Sequence, residues 1–213
     1  MNKLIALGLA LTLSSSLAGF VRVAHLSPDA PNVDVWLNGA RVPALTNVPF
    51  KAVSNYLNVP AGRHNVAVYV AGQRRNPVIS VRGLRVGNGH YTVAAIGQVT
   101  NRTLRAKVFV DSVATQRGRA TVRVIHASPD APAVDIAPRG GAALIRGLRF
   151  PNATAYLRLP GGTYNLEVRA AGTRTVALDL PGVRLNSGRS YTVFAVGKLT
   201  DKTLSAVVVE NRR

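Results

Sequence analysis

The chain contains itself twice, and this repeat limits the folds open to it more than any other feature. VRVAHLSPDAPNVDV at 21–35 returns as VRVIHASPDAPAVDI at 122–136. NVPAGRHNVAVYVAG at 58–72 returns as RLPGGTYNLEVRAAG at 158–172, and YTVAAIGQVTNRTLRAKVFV at 91–110 as YTVFAVGKLTDKTLSAVVVE at 191–210. The offset is 101 residues at the start and 100 later, so one residue is lost between the copies. Such a period is the size of a domain and excludes a short-period solenoid. The polar stretch SVATQRGRAT at 112–121, with its central glycine, joins the copies. The expected domains are 20–113 and 119–213, with a linker at 114–118.

Within each copy the hydrophobic period is two. Val21, Val23 and His25 share one strand face, and Arg22 and Ala24 the other; Val66, Val68 and Val70 alternate with Ala67 and Tyr69. Such runs recur between SPDAP, NG, PAG and GNG turn signals. The fold class is therefore all-β: two tandem antiparallel sandwiches of Ig-like, Greek-key type, with about seven or eight strands each. "Ig-like" describes architecture only, since the core pairs of an antibody domain are missing.

Residues 1–18 read as a signal peptide, with a head carrying Lys3, an apolar run at 4–13, and Ser16 and Ala18 at the spacing of a cleavage site. The apolar run is short for a membrane span, which needs about 20 residues; retention as an anchor is the alternative to cleavage. With no cysteine, disulfides and thiolate metal sites are excluded. The 27 basic residues against 9 acidic ones include 22 arginines, spread along the whole chain. Many, such as Arg82, Arg85 and Arg123, fall at alternate strand positions, which fits a solvated sheet face better than the basic cluster with stacking aromatics of a nucleic-acid module. Behind a leader, the acidic partners to expect are envelope polysaccharide, lipid head groups or an acidic protein surface.

The pattern V-R-x-x-H-x-S-P-D-A-P-x-V-D, followed by a P-A/G-G turn and Y-T-V-x-A-x-G-x-x-T, resembles the bacterial domain-of-unknown-function family 4397 in both copies. The resemblance implies exported, often repeated β-sandwich domains and supplies no active site.

The most specific motif, His25, Ser27, Asp29 and Asp34, repeated as His126, Ser128, Asp130 and Asp135, reads as a structural turn. Pro28 sets a turn angle, Asp29 is placed to bond the backbone just ahead of it, Pro31 ends the ladder, and Asp34 points away from core-facing Val33 and Val35. A catalytic triad from consecutive residues of one extended segment is not expected. His64 and His90 differ, because their counterparts are Tyr164 and Ser190. Both begin strands at one end of the first domain; His25 joins them if two strands intervene and lies at the far end if three do. Three imidazoles without thiolates would favour copper or zinc, so the alternative function is a copper-only superoxide dismutase of the envelope at His64, His90 and His25. Trp36, set opposite Pro138 in the repeat, reads as a core or domain-interface residue. The leading expectation is a non-catalytic, basic accessory protein of the cell envelope or cell surface. It would dock on an acidic surface component or a surface-layer assembly, with any membrane association peripheral.

Overall fold

The computed structural model describes residues 17–212, so the leader expected at 1–18 lies almost wholly outside the described residues. Removal of 1–18 would take with it the first residue of the opening strand. The first domain contains β1 (Ala18–His25), β2 (Val33–Leu37), β3 (Ala40–Arg41), β4 (Leu57–Pro60), β5 (Gly62–Val70), β6 (Ile79–Val86), β7 (His90–Ile96) and β8 (Arg105–Asp111). The second contains β9 (Arg119–His126), β10 (Val134–Pro138), β11 (Ile145–Leu148), β12 (Leu157–Pro160), β13 (Gly162–Ala170), β14 (Val176–Leu185), β15 (Ser190–Val196) and β16 (Ser205–Glu210). One 3-10 turn, Pro43–Leu45, is the sole helical element among the described residues.

Each domain pairs a sheet of order β4-β1-β7-β8 with one of order β3-β2-β5-β6; the second domain repeats this as β12-β9-β15-β16 and β11-β10-β13-β14. All pairings are antiparallel except β1 with β7 and β9 with β15, which are parallel. The chain between those partners passes through the opposite sheet, so no hairpin dictates their relative direction. Inside the first sandwich Val33, Val35, Val66, Val68 and Ile79 meet Val23, Ala95 and Ala106. Inside the second, Val122, Tyr191 and Val193 meet Leu185, with Val183 packed beside them.

The alternation of β1 has a second consequence. Ala24, Leu26, Ala94, Ile96 and Phe109, on the far face of the β4-β1-β7-β8 sheet, form one cluster with Ile125, Ala127, Phe194 and Val196 of the second domain. The two domains therefore stack as four layers of sheet, with the β1 and β9 sheets back to back in the middle. Each large aliphatic or aromatic side chain fully buried there contributes about 1.5–3 kcal/mol. The expectation that Arg123 lies on a solvated face is overturned: it is 3% exposed, and its repeat partner Arg22 is 2% exposed. Alternation tells which residues share a face, not what covers it. Arg82 and Arg85 are exposed, as expected.

Trp36 is not the core or domain-interface residue that the sequence suggested. It lies on the outer face of its sheet, edge-on to Tyr69 at 6.0 Å and beneath the Arg74 guanidinium at 4.7 Å. Strand register sets Ala137, not Pro138, at its place: Trp36 pairs with Ala67, and Ala137 with Glu167.

Candidate functional site

The repeated motif closes each sandwich at one end. The Asp29 carboxylate accepts hydrogen bonds from the Val99 amide (2.9 Å), the Thr100 amide (3.0 Å) and the Thr100 hydroxyl (2.7 Å). It thus staples a turn about 70 residues away rather than the backbone just ahead of it. Ser27 donates to the Gly97 carbonyl at 2.8 Å. Gly97 has φ +89°, and a Cβ there would collide with the Thr103 carbonyl, so the turn requires glycine. Asp130 repeats the staple on Leu199 and Thr200. Asp34 accepts from the amides of Asn47 and Gly72, and Asp135 from those of Gly147 and Gly172. Those amide bonds hold the Asp34 and Asp135 carboxyls below the ordinary carboxylate value. His25 and His126 each donate Nε2–H to a proline carbonyl, Pro31 and Pro132, at 3.0 Å. Burial lowers the pKa of both imidazoles, against the opposing effect of that carbonyl.

H-x-S-P-D-A-P and G-x-x-T are therefore two halves of one fastening, made in each copy between distant segments. The sequence model of DUF4397, a domain of unknown function, matches residues 19–137 and 120–213. The chain belongs to the DUF4397 family. Its two DUF4397 copies are the two sandwiches, the first match running on through β9 and β10 into the second motif. Comparison with curated proteins gives no match.

The three histidines proposed as metal ligands are placed apart. Phe20 of β1 pairs with His90 of β7, and His25 pairs with Ala95. Five residues separate the two histidines along parallel strands, about 16 Å at the usual strand rise. Three strands, β2, β3 and β4, lie between β1 and β5, so His25 sits at the far end from His64 and His90. Those two share an end but not a face. His64 points into the first sandwich, its ring nitrogens bonded to the Pro60 carbonyl (2.7 Å) and the Asn38 amide (3.0 Å). His90 stands opposite Asp111 on the face turned to the second domain, stacked on Phe20 at 4.6 Å and edge-on to Tyr56 at 5.2 Å. Among the described residues no group of three or more His, Cys, Asp or Glu is placed to hold a metal ion.

A polar network that the sequence reading did not anticipate lies between the DUF4397 copies. Asp111, whose side chain is fully buried, pairs with both Arg22 and Arg123 and accepts from Thr92 (2.6 Å) and Tyr56 (2.5 Å). Arg22 reaches across to Thr192 and to Asn211, the counterpart of Asp111. Two buried guanidiniums thus share one carboxylate, with Tyr56 under Arg22 and Tyr156 under Arg123. Burial lowers the Arg22 pKa against the pull of Asp111. The readable signal was the apolar company of Arg22 on its strand face: Ala24 and Leu26 share its parity, so that face had to be covered too.

Proposed function

We propose that the protein is a non-catalytic accessory component of the cell envelope that docks, through exposed arginines, on an acidic surface component. The carrying observation is the fate of its carboxylates. All nine acidic side chains are engaged: Asp29, Asp34, Asp130 and Asp135 by backbone amides, and the other five by ion pairs. Among the described residues only Arg22, Arg123, Arg139, Arg169, Arg189 and Lys198 have an ion-pair partner. The remaining described arginines are exposed and without an ion pair, which projects a positive field able to concentrate polyanions.

Local geometry supports the same reading. Exposed Arg63 and Arg85 stand directly opposite each other across β5 and β6. Like charges in that arrangement cost stability, a cost relieved when an anion bridges them. The outer strands present these guanidiniums on a rigid sheet, which suits planar carboxylate and phosphate groups. An exported location follows from the leader pattern and is part of the proposal. Cosedimentation with an acidic polysaccharide and with its carboxyl-reduced form tests it: the protein should pellet with the acidic polymer only. Equal retention on both would end the charge-based reading.

A further inference from the structure

The second domain carries an open cleft of about 640 Å³ on the outer face of its β11-β10-β13-β14 sheet. Its walls are the turn at 139–144 and the turn at 171–175, and both are fixed from below. Asp135 holds the amides of Gly147 and Gly172, one from each side. Arg169, 8% exposed, donates to Glu167 Oε2 through Nε (2.8 Å) and Nη2 (2.6 Å) and to the Gly141 carbonyl through Nη1 (2.9 Å). Arg146 and Arg174 line the same cleft, exposed and without an ion pair or side-chain hydrogen bond among the described residues.

The first domain provides an internal comparison. Its frame is the same, with Asp34 holding Asn47 and Gly72. Tyr69 stands where the second domain has Arg169, Thr46 where it has Arg146, and Arg74, the counterpart of Arg174, lies over the Trp36 ring. Only the second domain sets two exposed guanidiniums without an ion pair beside a third, immobilised one; Arg146 feels the Asp135 carboxylate, whose oxygens are already taken by the Gly147 and Gly172 amides.

We propose that this cleft binds an acidic sugar unit, its carboxylate held by Arg146 and Arg174 and its hydroxyls by the acceptors at the floor. This rests on the docking reading and narrows it to one ligand class and one place. The volume lies within the about 300–1,000 Å³ of small-ligand sites. Glu167 uses only Oε2 on Arg169, so Oε1 remains an acceptor for a hydroxyl. A bare anion would have no use for that acceptor, and without an aromatic ring in the lining a nucleotide base has no platform. Gly140 and Gly141 let a ring approach the backbone closely, and Ala142, Ala143 and Val176 supply a small apolar wall for its C–H face.

The test is calorimetric titration of the full chain with oligogalacturonate, with the matching neutral oligogalactoside and with inorganic phosphate. It is repeated for an Arg146→Ala, Arg174→Ala variant and an Arg82→Ala, Arg85→Ala control; all four side chains are exposed, so folding should survive. The proposal expects saturable binding of the uronate oligomer, at least tenfold weaker in the cleft variant and within twofold of wild type in the control. The neutral oligomer should not bind measurably. Equal loss in the two variants would overturn the site while leaving charge-driven docking intact. Phosphate binding as tightly as the uronate oligomer would overturn the sugar assignment. No uronate binding by the wild type even at low salt would remove both the site and the docking reading.

Discussion

Replacing Asp111 by Asn tests the arrangement that joins the two DUF4397 domains. The substitution keeps the shape and removes the charge that Arg22 and Arg123 share. Their side chains are 2% and 3% exposed, so neither guanidinium can turn to water without parting the sheets. Breaking a buried pair at one partner costs about 3–5 kcal/mol. Here the removal orphans two cations, which places the expectation at the upper end. In a chain of this size about 1 kcal/mol shifts the thermal midpoint by about 2–4 °C, so the variant should melt roughly 10–20 °C lower. Circular dichroism follows both domains, and the fluorescence of Trp36, the single tryptophan, follows the first. Asp179→Asn serves as the control, because its pair with Arg139 is about half exposed on both sides and should matter little. A shift for Asp111→Asn no larger than the control's would refute the claim that this network joins the domains.

Three further outcomes follow from the same geometry. His25 and His126 are held below the ordinary histidine value, so the unfolded chain takes up their protons first as pH falls. Their contribution to stability is intact above about pH 6.5 and is lost as pH drops toward the folded values. Urea midpoints between pH 7.5 and 5 should decline more gently in a His25→Gln, His126→Gln variant, and an unchanged slope would sink the point. Arg63→Thr, which copies Thr163 of the second domain, should raise low-salt stability by about 0.2–1 kcal/mol and lose that gain as salt is added. No gain at low salt would mean that Arg63 and Arg85 do not repel. Asp29→Ala frees the turn at 98–100, so hydrogen exchange of the Val99 and Thr100 amides should quicken well before global unfolding; unaltered protection would show that the staple is not what orders the turn.

Much of the fold was legible because its devices are local. Alternating valines and SPDAP turns gave the strands, and the repeat gave two equal domains, as β1–β8 and β9–β16 show. His64 shares the parity of Val66 and Val68 on β5 and is buried with them. What covers a face is a long-range fact, and there alternation is silent: Arg123 read as surface because its partners, Asp111 and the Val110 carbonyl, come from the other copy. The same gap misplaced Trp36, whose ring is covered by Arg74 from a neighbouring turn rather than by the core. The partner of Asp29 was also misread, as local chemistry, because its true partners stand about 70 residues along the chain. The expected convergence of His90 with His64 failed for a topological reason. They begin strands at one end, but β5 and β7 belong to different sheets, and the side chains face opposite sides of the β1 sheet.

The proposed docking depends on a fold that ties down its carboxylates and leaves a cationic exterior. The most direct measurement is the affinity of the full chain for a soluble acidic polysaccharide as salt rises from about 50 to 300 mM, read as a double-logarithmic slope. A steep linear fall, made shallower by removing exposed arginines, is the result expected. A flat line across that range, with tight binding retained, would contradict it.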